Sequence, residues 1–229
     1  LNIGTSGSGG IFSISAWVNP EILGTGVSRS IINKRTQNGH WPCWDLYVKT
    51  GGEVVGTYSS TVYGYCLEHY TTADGTIQEN NWYNIVFVKP AGDYQVVKVY
   101  INGVNVDAPN TLAYGSHTPS TTVATSTQPA YIGRWLDGNW INAFVGQLGP
   151  IQVYTEALTS AQVKQNFEAQ AQRFNVRRWG NRAIIQDSLE AWFDAGISES
   201  YPGSGSTWYD LTGNGYNGTI TGATYSGEG

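Results

Sequence analysis

Apolar and polar or small side chains alternate through most of the first 155 residues. That period of two limits the fold more than anything else here, because it belongs to strands with one buried face. Ile11 to Val18 (IFSISAWV) sets the pattern, with Phe12, Ile14, Ala16 and Val18 on one face and Ile11, Ser13, Ser15 and Trp17 on the other. Pro20 ends it. Strands are likewise expected at Ile31–Lys34, Trp44–Lys49, Val54–Tyr58, Trp82–Lys89, Val96–Val106, Ala130–Trp135 and Phe144–Tyr154. Gly51-Gly52, Asn102-Gly103 and Asp137-Gly138 mark turns between them, since these residue types tolerate positive φ.

One segment breaks the alternation. Thr159-Ser160-Ala161-Gln162 has capping-box spacing, and Val163, Phe167, Ala171 and Phe174 recur at intervals of three and four. A helix with one apolar stripe is expected over Ser160–Arg173, docked on the edge of a sandwich or at a junction between units.

Length and composition narrow the class. A chain of 229 residues can bury one good core, whereas two full domains would be cramped. Charged residues make up only 13%, against about 25% in average soluble domains, while 29 Gly, 15 Tyr and 9 Trp suit a turn-rich β protein. The net charge of −5, with no run of Lys or Arg, argues against nucleic acid or anionic lipid as partner. No apolar run approaches the roughly 20 residues of a membrane span. A chain starting at Leu1 with no Met reads as a processed product or a segment of a longer protein. Cys43 and Cys66 are expected to form a disulfide between neighbouring strands, the alternative being two buried thiols.

The segments FSISAWVNP, INK, WYNIVFVK, VKVYINGV, YIGR and GQLGPIQVYTEALTSAQVKQNF, in that order, resemble laminin-G-like, concanavalin-A-like jelly-roll domains over roughly Phe12–Phe174. The resemblance implies an all-β, two-sheet antiparallel jelly-roll sandwich with one short helix toward its C-terminal side. It also implies a carbohydrate-binding or adhesive module, sometimes with structural calcium. The tail, LEAWFDAG followed by TWYDLTGNGYNGTI (Leu189–Ile220), looks like the opening of the same kind of domain, in the form found in tandem repeats of phage structural and large secreted bacterial proteins. Its place at the end makes the chain circularly permuted or strand-donating. The expected layout is a sandwich at 1–174, a linker at 175–188, and opening strands at 189–229 that fold back or insert into the next subunit.

Candidate sites follow from residue chemistry. Asp210, Asn214 and Asn217 place hard oxygens on a Gly-rich loop, which suits Ca²⁺; the alternative is an Asx turn bonded to its own backbone. Asn217-Gly218-Thr219 is a glycosylation sequon. Trp41, Trp44, Trp135 and Trp140, with Asp137 nearby, are candidate sugar-stacking residues, weighed against plain packing. Trp179, Leu189, Trp192, Phe193 and Trp208 are expected to link subunits. The alternating Glu-x-Asp-x-x-Glu run of related β-glucanases is missing, and His40, His69 and His117 lack a catalytic or metal spacing, so no enzyme is expected. The leading expectation is a structural repeat subunit of an extracellular fibre or virion appendage, assembled head-to-tail with itself by strand complementation. The alternatives are an extracellular glycan-binding lectin or adhesin, and a fragment of a tandem array.

Overall fold

A computed structural model describes residues 3, 10–24, 26–35, 42–59, 67–91, 97–106, 108–114, 123–134, 136–137, 140–141, 143–176 and 184–227. The alternating segments form β1 (Phe12–Pro20), β2 (Arg29–Arg35), β3 (Pro42–Val48), β4 (Val54–Ser59), β5 (Leu67–Thr71) and β6 (Tyr83–Lys89). They continue in β7 (Lys98–Ile101), β8 (Val104–Val106), β9 (Asn110–Tyr114), β10 (Ala130–Ile132), β11 (Leu136–Asp137), β12 (Trp140–Ile141) and β13 (Gly146–Tyr154). Helix α1 (Ser160–Gln170) follows, then a 3-10 turn at Ala171–Phe174, β14 (Leu189–Phe193), and a two-stranded ribbon of β15 (Thr207–Trp208) and β16 (Gly218–Thr219). Two antiparallel six-stranded sheets result, ordered β14-β13-β1-β6-β7-β8 and β10-β2-β3-β4-β5-β9.

Their facing sides make the core. Phe12, Ile14, Ala16 and Val18 of β1 join Ile85, Phe87, Val99, Ile151 and Val153 from the first sheet and Ile32, Leu46, Val48, Tyr58 and Tyr70 from the second. Gly56 belongs here because an added Cβ would meet the Phe87 ring at 2.2 Å, so the sheets close only where this position has no side chain. Two of the expected turns are hairpins with the predicted chemistry. Asn102 (φ 51°) and Gly103 (φ 78°) close Ile101 onto Val104, and Gly52 (φ 85°) lies in the loop that joins Val48 to Val54.

The helix docks on the outer face of the first sheet. Thr159 caps it: its Oγ1 accepts from Gln162 N, and Gln162 Oε1 accepts from Thr159 N at 2.8 Å. The apolar stripe is buried in two clusters. Val163 packs with Val86, Val88, Tyr100, Tyr154 and Leu158, while Phe167, Ala171 and Phe174 surround Trp17. Phe174 and Phe167 stack on the Trp17 ring at 4.3 and 5.8 Å, and Trp17 Nε1 donates to Gln170 Oε1.

The tail folds back within its own chain. β14 pairs antiparallel with β13 at the edge of the first sheet, with Ile151 opposite Phe193 and Val153 opposite Ala191. Of the residues expected to link subunits, Leu189 is buried among the helix-side cluster and Phe193 in the main core, where Trp208 packs on it at 5.7 Å. Trp192 packs on the helix-side cluster. These four side chains therefore pack within their own chain, which is the folded-back arrangement of the two expected. Trp179 lies outside the described residues. Arg173 anchors the tail from the other side, donating through Nη1 to both carboxylate oxygens of buried Asp194 at 2.6 Å. Gly196 leaves room for that guanidinium, since a Cβ there would lie 1.7 Å from Arg173 Nη2.

Candidate functional site

Strand pairing across the second sheet aligns one residue from each strand. The row runs Tyr131, Asn33, Asp45, Thr57, His69, Thr111 over β10, β2, β3, β4, β5 and β9. Residues directly opposite one another in antiparallel pairs share a face, and the adjacent row, with Trp44 and Tyr58, belongs to the core. This polar row therefore lies on the outer face, away from the helix. Arg35 and Ser59 share it by alternation, as does Tyr47 across a register shift in β2.

Asp45 sits at its centre. Burial pushes its carboxyl up to about 7, against the opposing influence of Arg35 and hydrogen bonds from Ser30 and the Leu46 backbone. Ser30 Oγ donates to Asp45 Oδ1 at 3.3 Å, and Asn33 Nδ2 donates to Ser30 Oγ at 2.9 Å. Tyr47, beside Asp45, has its phenol raised by burial first and by that carboxylate second. Thr57 Oγ1 and Asn33 Oδ1 are buried without a partner among the described residues, which native structures seldom leave without a reason.

The row ends at a rooted hairpin. A bulge in β2 between Ser30 and Ile32 frees the Ile31 carbonyl, which accepts from Gly133 N at 2.8 Å. Gly133 O in turn accepts from Phe144 N at 2.7 Å. Asn33 Nδ2 donates to the Arg134 carbonyl at 2.8 Å and Arg29 Nη1 to the Ala143 carbonyl at 3.2 Å. Both legs of the β11–β12 hairpin are thus clamped to β2, and Asp137 faces Trp140 as a register pair within it.

The sequence-derived sites sort unevenly against this geometry. Trp44 is corrected: it is 1% exposed and packs in the main core beside Leu46 and Val48, so no ligand can stack on it. Alternation along β3 explains this, because Trp44 shares parity with Leu46 and opposes Asp45. Asp137 and Trp140 pair with each other in the β11–β12 hairpin, while Trp41, Trp135 and Cys66 lie outside the described residues. Cys43 is a buried free thiol whose Sγ donates to the Arg35 carbonyl, and burial raises it to about 11.

The Asp210 loop is bonded to itself and to β14. Asp210 Oδ1 accepts from Trp192 N and Thr212 N, its Oδ2 accepts from Thr212 Oγ1 and Tyr216 N, and Asn217 Oδ1 accepts from Asp210 N. Asn214 Nδ2 donates to the Glu190 carbonyl. The Asp210 and Asn217 oxygens expected for calcium accept from N–H and O–H groups, and among the described residues no group of three His, Cys, Asp or Glu could hold a metal ion. Asn217 is exposed.

Asn33, Thr57 and the bulge at Ile31 were missed at the sequence level. Asn33 lay inside an expected strand, but only pairing across six strands shows it in register with Asp45 and Thr57.

Residues 3–164 match the family model described as the concanavalin A-like lectin/glucanases superfamily. No curated protein matches the chain. A Bacteroides ovatus protein described as a candidate carbohydrate binding protein has a similar solved structure, with TM-score 0.58 and 18% identity. That match covers 91% of this chain and 51% of the Bacteroides one, so the chain spans about half its length. Trypanosoma rangeli sialidase aligns with TM-score 0.48 and 16% identity over 71% of this chain and 23% of the enzyme. A SAP-like pentraxin from Limulus polyphemus aligns with TM-score 0.44 and 18% identity over 78% of each chain. Identities this low describe a shared fold.

Proposed function

The chain belongs to the concanavalin A-like lectin/glucanase superfamily, and from that premise we propose that it is a non-catalytic glycan-recognition module working outside the cell. The observation that carries this reading is the polar row on the outer face of the second sheet, ending at a hairpin clamped by Asn33 and Arg29. Neutral sugars need hydrogen-bonding groups of both senses beside an aromatic ring. Asn33, Asp45 and Thr57, each no more than 1% exposed, form the polar floor of this face, and we assign the stacking ring to Trp140 of the β11–β12 hairpin rooted on β2. The Bacteroides structure, whose description names carbohydrate binding, supports the same reading through the fold.

A recognition role also fits the chemistry of the row better than hydrolysis does. Glycoside cleavage requires two carboxylates flanking one bond, about 5 to 10 Å apart. Asp45 is the only carboxylate of the six-residue row. The fibre-subunit reading has no such support, because the tail it would donate is paired with β13 of its own chain.

A glycan array with the purified chain tests the proposal. Selective binding that falls at least tenfold in Trp140→Ala, a loss typical of a stacking residue, is the expected result. Uniform failure to bind across neutral and acidic glycans sinks it, as does binding that Trp140→Ala and Thr57→Val leave unchanged.

A further inference from the structure

Asn33 and Asp45 stand directly opposite each other on the outer face of the second sheet, and both are buried. Opposite side chains of an antiparallel pair have Cβ atoms about 4.5–5.5 Å apart, so each must accommodate what the other presents. The Asn33 amide is oriented by its partners. Its Nδ2 donates to Ser30 Oγ at 2.9 Å and to the Arg134 carbonyl at 2.8 Å, and a carbonyl can only accept. Asn33 Oδ1 is thereby turned away from both, and it has no donor among the described residues.

Asp45 can supply that donor only while it carries a proton. Its Oδ1 already accepts from Ser30 Oγ at 3.3 Å, which leaves Oδ2 to hold the O–H. An ionised carboxyl would instead set a second acceptor against a buried carbonyl oxygen, and neither would be satisfied. Burial acts in the same direction, pushing the Asp45 carboxyl up to about 7. The surrounding charges do not reverse it. Arg35 on β2 favours the ionised form but is outweighed, and the Tyr47 phenol on β3 is itself pushed up, in part by the Asp45 charge. Arg29 on β2 is engaged with the Ala143 carbonyl, β4 contributes only Val55, Thr57 and Ser59 to this face, and His69 on β5 is the next register position beyond Thr57.

We infer that Asp45 is a positioning residue for the β11–β12 hairpin: protonated, it donates through Oδ2 to Asn33 Oδ1 and so keeps the Asn33 amide turned to clamp the Arg134 carbonyl. When the proton leaves to water, two acceptors meet and the amide turns over. Nδ2 then donates to the carboxylate, Oδ1 faces the Arg134 carbonyl, and the hairpin loses one of its ties to β2. The ties to Arg29 and to the Ile31 carbonyl remain. The consequence for recognition rests on the reading of Trp140 as the stacking ring: a loosened hairpin presents that ring less often, so glycan affinity should fall as pH rises through about 7.

Nuclear magnetic resonance and amide exchange on the full chain test this without any sugar. In the parent, the Asn33 side-chain N–H signals should move to new positions as pH rises through about 7, which a uniform loss of stability would not produce. Protection of Gly133 and Phe144 should fall about five- to tenfold over the same range, the worth of one net hydrogen bond. Asp45→Asn places an N–H donor opposite Asn33 at every pH and should stay protected throughout. Asn33→Ala removes the clamp and should give the low protection throughout, whereas Thr57→Val should keep the parent profile. If Asn33→Ala lacks a native near-ultraviolet spectrum, the parent and Asp45→Asn profiles decide the matter. Asn33 signals that do not move in the parent overturn the inference, as does a fall in protection that persists in Asp45→Asn or vanishes in Thr57→Val. A chain that binds no glycan leaves this inference standing, and a flat profile leaves the glycan reading standing.

Discussion

The sandwich has two outer faces, built by the same alternation and put to opposite use. On the first sheet the outward positions include Trp17, Val86, Val88, Tyr100 and Tyr154, and these are roofed by the stripe Val163, Phe167, Ala171 and Phe174. On the second sheet the outward row is Asn33, Asp45, Thr57 and His69, with no helix over it among the described residues. Both faces hold buried polar atoms without partners among the described residues: the Gln152 amide and Trp192 Nε1 on the first, Thr57 Oγ1 and Asn33 Oδ1 on the second. Such atoms therefore do not identify a binding face by themselves. The first face is closed by apolar packing, whereas the second gathers its polar groups in register and ends at a clamped hairpin.

The contrast breaks most visibly at Phe167. It is buried against Trp17, and Phe167→Ala should cost about 3–5 kcal/mol in urea unfolding while leaving glycan affinity unchanged. If stability barely moves, the helix is not what closes the first face. Arg173→Ala comes next. It leaves the buried Asp194 carboxylate without its bidentate partner and should cost about 3 kcal/mol, with faster amide exchange along β14 as the local readout. Slow, parent-like exchange there would show that Arg173 does not anchor the tail.

Asp45 sharpens the comparison through pH. Its carboxyl is raised from 3.8 to about 7, so the folded chain holds the proton more tightly than the unfolded one. That contribution to stability is complete below about pH 4 and is lost as pH rises through about 7. The slope is at most about 1.4 kcal/mol per pH unit. Asp45→Asn should flatten unfolding midpoints measured across this range, and an unchanged slope would mean that burial does not govern this carboxyl. The smallest effects on stability are expected from a matched pair. Gln152→Met and Thr57→Val each replace an unpaired buried polar group with an apolar one of similar size, so each should lie within about 1 kcal/mol of the parent. Only Thr57→Val should weaken glycan binding. Equal binding in the two variants would remove the distinction between the faces.

Much of the fold was readable before any coordinates. The β1 alternation put Phe12, Ile14, Ala16 and Val18 together on one face, which the structure turns to the core, and Asn102-Gly103 marked a hairpin, because strand parity and turn sterics are local properties. Thr159 and Gln162 marked the helix start for the same reason. β5 and β9 were missed, since LEHYT and NTLAY are short and weakly alternating. The candidate site was legible only in part. Asp137 and Trp140 stood out as residues near a turn, but Trp44 was misjudged because type and turn proximity do not reveal which side of a strand meets the core.

What the amino-acid order determined by itself was therefore the set of elements: strands by their period of two, the capped helix by its stripe, and hairpins by residues that accept positive φ. Tertiary structure alone decided three further matters: that β14 completes its own sheet, that Asn33, Asp45 and Thr57 fall in one row, and that the Asp210 loop covers an edge. Each depends on pairing between residues far apart in the chain. Backbone hydrogen bonds that set such register are the same for every residue type, so they leave no mark in the sequence.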